Sequence, residues 1–240
     1  MAGKDIALTS SAPVAGRCFD AYCICPEPAR PPALLLLPEM FGLTRAMRES
    51  ADGFARYGHA VLAPNLFWRA DHPETLGYEG KERELAIARL AAFDVERAVA
   101  DIADAAAALR GIARTERIVA IGHCIGGRLA VLALSRLRLD GAVSYYALGL
   151  SAYPREMRAI AAPVQLHYGL ADEHVPLPEI DAVAALVADN RHVTLYRYAQ
   201  AGHSFVNPYR PMFDAAQAEA AIRRTLALIG DVAGRNREMA

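Results

Sequence analysis

Short apolar runs alternate with longer segments of helical periodicity along most of this sequence. A short apolar run predicts a buried strand, and apolar residues that recur every three to four positions predict a helix with one buried face. Strands are predicted at 5–10, 17–25, 33–38, 59–64, 117–122, 141–147, 163–169 and 192–198. Helices are predicted at about 45–57 with Thr44 as N-cap, at 81–110, after residue 124 to about 137, at 178–188 and at 212–230.

This alternation predicts an α/β protein with a doubly wound, mostly parallel sheet, in which the first two strands form an antiparallel pair. The chain has 240 residues and shows no repeat, low-complexity tract or linker, so we expect a single domain over 1–240. The functional loops of such a sheet lie at the carboxyl ends of its strands.

Composition and charge exclude several classes of partner. The residues are 54% hydrophobic and the net charge is −1, which argues against nucleic acid or an anionic membrane as a partner. The longest apolar run, Ala33 to Leu37, has the length of a strand, and residues 1–20 lack the apolar core of a signal peptide. We therefore expect a cytoplasmic protein.

Three of the four cysteines crowd one early segment. They are Cys18, Cys23 and Cys25, and the period of a strand places the last two on one face. A metal site needs about four ligands, and no second Cys or His pair stands at a recognisable spacing. We expect no metal and no cofactor, and a structural role for these thiols in a reduced core.

The fourth cysteine, Cys124, lies where an apolar strand meets a helix rich in small residues. Residues 118–127 read Ile-Val-Ala-Ile-Gly-His-Cys-Ile-Gly-Gly. This is the nucleophile elbow of an α/β-hydrolase with cysteine in place of serine, and a Cβ at either glycine next to the turn is expected to clash. A helix N-terminus favours a thiolate and a developing oxyanion. The alternative is a chance pentapeptide around a buried, inert cysteine.

The elbow makes the α/β-hydrolase fold the predicted architecture. Many such proteins insert a lid domain before the strand that carries the acid. Here the connection from Ala147 to Pro163 is too short for one. We therefore expect no inserted lid, and a shallow site that suits a compact substrate.

An acid and a base follow two later strands. Asp172 comes after the apolar run 164–168 and His203 follows a glycine after the last strand. The order Cys124, Asp172, His203 is that of the α/β-hydrolase triad, in which the imidazole moves the proton and the carboxylate orients it. Taken singly, Asp172 could be a turn residue and His203 a surface residue.

The other histidines give weaker signals. His123 could line the site beside the nucleophile, and His174 could compete with His203 as the acid–base group. Four more are expected to be structural or solvated: His59, His72, His167 and His192.

The chain closely resembles the dienelactone hydrolases (carboxymethylenebutenolidases) over nearly its whole length. The motifs that carry the resemblance are Glu39-Met40-Phe41-Gly42-Leu43, the elbow, Phe93-Asp94, Tyr145-Tyr146, Asp172 and Ala201-Gly202-His203-Ser204-Phe205. The resemblance implies a monomeric, cofactor-free enzyme that opens a carboxylate-bearing unsaturated lactone in catechol breakdown. From the sequence, a weak homo-oligomer stays open.

The resemblance also implies roles for further residues. Glu39 helps to ionise the thiol, the backbone N–H groups of Met40 and Ile125 form the oxyanion hole, and Arg83 binds the substrate carboxylate. Glu39 could instead be a strand-end carboxylate, and Arg83 could belong to a solvated helix face. The remaining candidates for substrate binding are Phe41, Trp68, His123 and Tyr146.

The sequence departs from the family pattern at several substrate-binding positions. Asn207 stands where the family has a second arginine, and Ile87 and Leu90 replace aromatic residues. His123 replaces a tyrosine. Cations that could compensate are Arg69, Arg128 and Arg210.

The predicted function is hydrolysis of small lactones or esters of the dienelactone type through a Cys124 acyl-enzyme. Three alternatives remain at this stage: a hydrolase of neutral or aryl esters with the same triad, a non-catalytic binding protein of the same fold, and a thiol redox protein.

Overall fold

One eight-stranded sheet organises the chain. A computed structural model describes residues 3–11, 17–70 and 73–234, and His72 lies outside these ranges. The strands are β1 (Lys4–Thr9), β2 (Cys18–Ile24), β3 (Arg30–Leu37), β4 (His59–Pro64), β5 (Ile118–His123), β6 (Gly141–Tyr145), β7 (Val164–Gly169) and β8 (Val193–Tyr198). Their order is β1-β2-β4-β3-β5-β6-β7-β8.

The sheet is mostly parallel, as the alternation of strands and helices predicts. β1 pairs with β2 and β2 with β4 in antiparallel fashion, and all pairs from β4 to β8 are parallel. Every residue of β4, β5, β6 and β7 is buried. Strands covered on both faces consist of continuous apolar runs, which is why the sequence located them well.

Helices cover both faces of the sheet. They are α1 (Arg45–Arg56), α2 (Gly80–Ala91), α3 (Val95–Ala113), α4 (Ile125–Arg136), α5 (Pro154–Arg158), α6 (Leu177–Val187) and α7 (Ala215–Gly234). Apolar residues of α1 and α7 pack on one face, and those of α3, α4, α5 and α6 pack on the other. α2 packs instead against Phe41 and Leu76.

The structure corrects the prediction of one helix over 81–110. The segment forms two helices, α2 and α3, separated by residues 92–94. The Asp94 side chain accepts a hydrogen bond from the Arg97 N–H at 3.1 Å and thus caps a new helix. The ring of Phe93 packs against Phe67, with centroids 4.9 Å apart. Apolar periodicity runs through this break and hides it.

The last helix also begins later than predicted, at Ala215 instead of residue 212. The Asp214 side chain accepts from the Gln217 N–H at 3.0 Å, so Asp214 is its N-cap. Thr44 caps α1 as predicted, with its side chain accepting from the Met47 N–H.

The connection between β6 and β7 holds no lid. It consists of a short 3₁₀ turn, Leu150–Ala152, and the five-residue helix α5. Among the described residues, no helix is long and apolar enough to cross a membrane.

Candidate active site

The elbow holds Cys124 in a strained turn between β5 and α4. Its φ is 56° and its ψ is −119°, a region that residues with a Cβ rarely adopt. A Cβ on Gly122 would lie 1.9 Å from the Gly126 carbonyl oxygen, and one on Gly126 would lie 2.3 Å from the Leu37 carbonyl oxygen. Both glycines are therefore required by sterics, as the sequence predicted.

Asp172 and His203 meet at the carboxyl ends of β7 and β8. The His203 Nδ1–H donates to Asp172 Oδ2 at 2.8 Å, and the carboxylate side chain is fully buried. Asp172 Oδ1 accepts the backbone N–H groups of His174 at 2.7 Å and Val175 at 3.0 Å. These bonds fix the carboxylate and place the imidazole proton on Nδ1, which leaves Nε2 free to exchange a proton with Cys124.

The partners of His203 favour its charged form. Burial by itself would lower the pKa of this imidazole, but hydrogen bonds with Asp172 and Cys124 outweigh burial and raise the pKa to about 10. An imidazolium beside a cysteine sulfur favours the thiolate, which is the nucleophilic form. The three side chains can therefore act as one unit for nucleophilic attack and proton transfer.

Glu39 lies behind this group in a buried hydrogen-bond cluster. Its Oε1 accepts from the Tyr146 hydroxyl at 3.0 Å and from the Ser204 hydroxyl at 3.1 Å. The Tyr146 ring packs on His203 with centroids 4.8 Å apart. Within the described structure, Oε2 of Glu39 has no hydrogen-bond donor, so one oxygen stays available for a proton.

Backbone strain concentrates at this site. Four described residues other than glycine have positive φ: Arg114, which ends α3, and Cys124, Tyr146 and Ser204. The last three belong to the cluster around Glu39 and His203. Such conformations each cost on the order of 1–3 kcal/mol and gather where function requires a fixed geometry.

Two backbone N–H groups lie next in the chain to Glu39 and Cys124. Neither the Met40 nor the Ile125 N–H has an acceptor in the described part of the chain. Ile125 is the first residue of α4, and Met40 follows Glu39 after β3. Free N–H groups at a helix start and an adjacent loop suit a developing oxyanion.

A buried arginine that the sequence analysis missed holds the Met40 loop. Arg89 is 4% exposed, and its Nε donates to the Met40 carbonyl at 2.8 Å. One of its terminal nitrogens donates to the Pro73 carbonyl at 3.1 Å. Burial lowers the pKa of Arg89 to about 10. The only sequence signal was an arginine three residues after Ala86 on the apolar face of α2.

Gly42 gives the same loop its turn. Its φ is 80°, and a Cβ there would lie 2.0 Å from the Glu74 carbonyl oxygen. The loop between β3 and α1 is thus fixed by a glycine that nothing larger can replace and by the Arg89 side chain.

His174 neighbours the triad histidine and senses the charge of Arg83. The His174 ring meets the His203 ring edge-on with centroids 4.9 Å apart. Burial first, then His203 and Arg83, lower the pKa of His174, so this ring is mainly neutral at neutral pH. The His174 ring is therefore a neighbour of the His203 ring, and of the two rings only that of His203 is hydrogen-bonded to Asp172 in the described structure.

Aromatic rings hold a second cation near the Met40 loop. The Arg210 guanidinium lies over Phe41 and Tyr78, 5.2 and 4.9 Å from the ring centroids. It forms no ion pair among the described residues, and its buried Nε has no partner there. Asn207 donates to the Tyr78 hydroxyl at 3.2 Å. Arg210 and Asn207, which stands where the family has an arginine, thus both contact Tyr78.

The structure places Trp68 elsewhere. Its indole N–H donates to Asp101 Oδ2 at 2.9 Å, and its ring stacks on Phe19. Arg69 binds the same carboxylate through both terminal nitrogens. Asp101 is fully buried in α3 and needs hydrogen-bond donors, which Trp68 and Arg69 supply.

The remaining cysteines give the thiol no redox partner. All four are free; Cys18 is exposed, and Cys23 packs in the core cluster on the opposite face from the cluster that contains Cys124. Burial raises the pKa of Cys23 to about 11. No group of side chains suited to a metal ion occurs in the described ranges.

Comparison with known proteins decides the family. The model of the dienelactone hydrolase family matches residues 19–233. The chain belongs to this family. Its fold, with the elbow, the strand-end acid and base and no lid, is the α/β-hydrolase fold of a dienelactone hydrolase.

Individual relatives agree with the family model. This chain is 31% identical to carboxymethylenebutenolidase 1 of Cupriavidus pinatubonensis, over 88% of this chain and 91% of that protein. It is 29% identical to the carboxymethylenebutenolidase of Pseudomonas putida, over 88% and 90%. A dienelactone hydrolase-like promiscuous phosphotriesterase from metagenomic libraries has the same fold, with a TM-score of 0.77 at 19% identity, covering 97% of this chain and 99% of that one.

Proposed function

We propose that this enzyme hydrolyses small lactones or esters of the dienelactone type through a covalent intermediate on Cys124. The observation that carries the proposal is the chain of contacts from Asp172 through His203 to the Cys124 sulfur, at the ends of three strands of one sheet. The curated relatives named carboxymethylenebutenolidase support a lactone as the substrate.

The first half of the reaction opens the ring. The Cys124 thiolate attacks the lactone carbonyl, and the carbonyl electrons move to an oxyanion that the Met40 and Ile125 N–H groups receive. The oxyanion collapses, the ring C–O bond breaks, and the His203 imidazolium gives its proton to the leaving oxygen. The product is a thioester in which the opened substrate stays whole.

The second half releases the acid. Neutral His203 takes a proton from water as the water attacks the thioester carbonyl. The intermediate collapses, the C–S bond breaks, and Cys124 leaves as the thiolate beside the His203 imidazolium. Asp172 holds the ring in one tautomer and stabilises its charge in both halves. Glu39, with Oε2 unbonded, can take up the thiol proton when the resting enzyme holds a neutral thiol.

Two arginines on different parts of the chain are proposed to bind the carboxylate of the substrate. Arg83, on α2, acts electrostatically on His174 and is proposed to bind the carboxylate of the substrate. Arg210, fixed over Phe41 and Tyr78, supplies the positive charge that Asn207 does not. A guanidinium binds a carboxylate through a planar pair of hydrogen bonds.

A neutral or aryl ester is the second candidate substrate. The observation that favours it is the Asn207 side chain, whose amide is bonded to Tyr78 and carries no charge for a carboxylate. Comparing kcat/KM for cis- and trans-dienelactones with that for uncharged esters of similar size separates the two candidates.

Turnover by cysteine variants tests the proposed chemistry. We expect Cys124→Ala to lose at least about 10⁴-fold in lactone hydrolysis, because a nucleophile that acts as part of a unit carries most of the rate. Cys23→Ala is the matched control, since it removes a buried thiol from the other face of the sheet. If Cys124→Ala keeps more than about a tenth of the wild-type rate, covalent catalysis is wrong.

A further inference from the structure

Arg89, on α2, is a buried cation that is bonded to backbone carbonyl groups. Its guanidinium donates to the Met40 and Pro73 carbonyl oxygens and lies over the Phe67 ring, 4.3 Å from the centroid. In the described part of the chain no carboxylate pairs with it, and burial lowers its pKa. Burying a charge without an opposite charge is costly, so packing by itself would favour an apolar residue at this position.

The Met40 carbonyl oxygen receives two of the bonds from Arg89. The Nε–H donates to it at 2.8 Å, and a terminal nitrogen of the same guanidinium donates to the same oxygen. The donors of a guanidinium have a rigid, planar arrangement, whereas the ammonium of a lysine turns on a flexible stem. The two bonds therefore fix the direction of the Met40 carbonyl.

The carbonyl groups on either side of Met40 have backbone donors instead. They are those of Glu39 and Phe41, which accept from the N–H groups of Gly42 and Leu76, both at 3.0 Å. The Met40 carbonyl lies between them and depends on the Arg89 side chain. Without Arg89, the peptide group after Met40 would lose the bonds that the described structure gives it and could rotate.

The peptide group before Met40 carries the N–H that is proposed as an oxyanion donor. In a trans peptide the N–H points opposite to the carbonyl of the preceding residue, so the bond from Gly42 to the Glu39 carbonyl fixes the Met40 N–H from one side. Arg89 holds the carbonyl on the other side of the same residue. The direction of the Met40 N–H therefore depends on two anchors, and Arg89 is one of them.

We propose that Arg89 is a positioning residue for the oxyanion hole, which holds the Met40 carbonyl and thereby keeps the Met40 N–H directed at the substrate oxygen. The inference rests on the proposed function, in which that N–H stabilises the oxyanion. Arg89 acts through the backbone and does not itself bind the oxyanion. Stabilisation of a developing charge needs donors that are fixed in advance, so a small displacement of this N–H slows the reaction.

Two reactions of Cys124 separate the oxyanion hole from the nucleophile. With 4-nitrophenyl acetate, the thiolate attacks the carbonyl, an oxyanion forms and collapses, and the ester C–O bond breaks with release of 4-nitrophenolate. With iodoacetamide, the thiolate displaces iodide and no oxyanion forms. Release of 4-nitrophenolate in the first turnover measures acylation, and peptide mass spectrometry of Cys124 measures alkylation. Damage to the fold or to the triad slows both reactions, whereas a misplaced oxyanion donor slows acylation alone.

Arg89→Met removes the donors and keeps most of the buried volume. We expect acylation to slow by about 10- to 100-fold while alkylation stays within about twofold of the wild-type rate. Arg117→Met is the matched control, because the Arg117 guanidinium also donates to a backbone carbonyl, that of Ala233. Arg117 precedes β5 and so lies at the amino end of the strand whose carboxyl end leads to Cys124. Both rates should be unchanged in this control.

Arg89→Lys carries the same test if Arg89→Met fails to fold. It keeps the charge and lacks the planar pair of donors, so acylation should slow by a smaller factor with alkylation again unchanged. Equal slowing of both reactions, no slowing of acylation in a folded variant, or the same slowing in Arg117→Met would each overturn the proposal.

Cys124→Ala distinguishes this failure from failure of the proposed function. It should release no 4-nitrophenolate by acylation. If it releases 4-nitrophenolate at the wild-type rate, the acyl-enzyme on Cys124 is wrong and the role of Arg89 falls with it. If Cys124→Ala is inactive and Arg89→Met acylates as the wild type does, the proposed function stands and only the role of Arg89 is wrong.

Discussion

Two buried histidines pack against Tyr146 and are held in opposite protonation states. Burial acts on both rings to lower the pKa. His203 gains hydrogen bonds with Asp172 and Cys124, which raise its pKa to about 10, whereas for His123 burial prevails and the pKa is about 4. Partners, not depth, decide the charge of a histidine in this protein. His203 is thereby suited to moving protons, whereas His123 stays neutral at neutral pH.

The largest loss of activity is expected when Asp172, the hydrogen-bond partner of His203, is made neutral. Asp172→Asn keeps the shape of the side chain but lets the amide favour the wrong tautomer of the imidazole. We expect kcat for lactone and ester alike to fall by about 10³- to 10⁴-fold. Steady-state kinetics on both substrates measure this loss.

His174→Ala is the control for that experiment, because the His174 ring touches the His203 ring but only the His174 backbone N–H, which the substitution keeps, bonds to Asp172. Its loss should be much smaller. An equal loss in His174→Ala, or a loss below about tenfold in Asp172→Asn, would show that the base is misassigned.

Removing a substrate-binding cation should affect charge selectivity and leave the chemistry intact. Arg83→Ala should lower kcat/KM for anionic lactones by about 30- to 1000-fold, corresponding to about 2–4 kcal/mol for a truncated charge pair. Neutral esters of similar size should change little. Lys81→Ala, on the exposed part of the same helix, is the control, and Asn207→Arg should raise kcat/KM for the anionic lactone. Equal effects of Arg83→Ala on both substrate classes would favour the neutral-ester alternative.

The charge on His203 also predicts how the thiol reacts as pH changes. The hydrogen bonds that raise the pKa of His203 to about 10 keep its ring charged at neutral pH, and we expect this charge to favour an ion pair with a Cys124 thiolate. At pH 6.5, His203→Ala should slow alkylation of Cys124 by iodoacetamide about tenfold, and the difference should shrink near pH 9.5, where ordinary thiols ionise. Peptide mass spectrometry follows each cysteine, with exposed Cys18 as the internal reference. A pH profile for Cys124 that is unchanged in His203→Ala would contradict the ion pair.

Local sequence predicts the part of the site that local sterics determine. The elbow needs glycines at 122 and 126 because carbonyl oxygens lie where their Cβ atoms would be, and this requirement is visible as a motif. The carboxyl ends of parallel strands meet at one edge, so Asp172 and His203 could be placed near Cys124 from their positions after two strands.

The sequence patterns did not predict contacts between distant segments of the chain. Arg89 reaches the Met40 carbonyl across 49 positions, and in a sequence it is one more arginine on a helix. The break before α3 depends on the Asp94 cap within an unbroken apolar period. The sequence also did not indicate that the indole N–H of Trp68, a predicted substrate-binding residue, donates to the buried Asp101 carboxylate.

Detection of the acyl-enzyme tests the central claim most directly. Acid quenching during lactone turnover, followed by peptide mass spectrometry, should find a Cys124 peptide heavier by the whole mass of the lactone, because ring opening expels no fragment. The adduct should accumulate in His203→Ala if water attack is slowed more than acylation, and it should be absent in Cys124→Ala. Hydrolysis that proceeds at the wild-type rate in Cys124→Ala, or an adduct on another residue, would contradict the account.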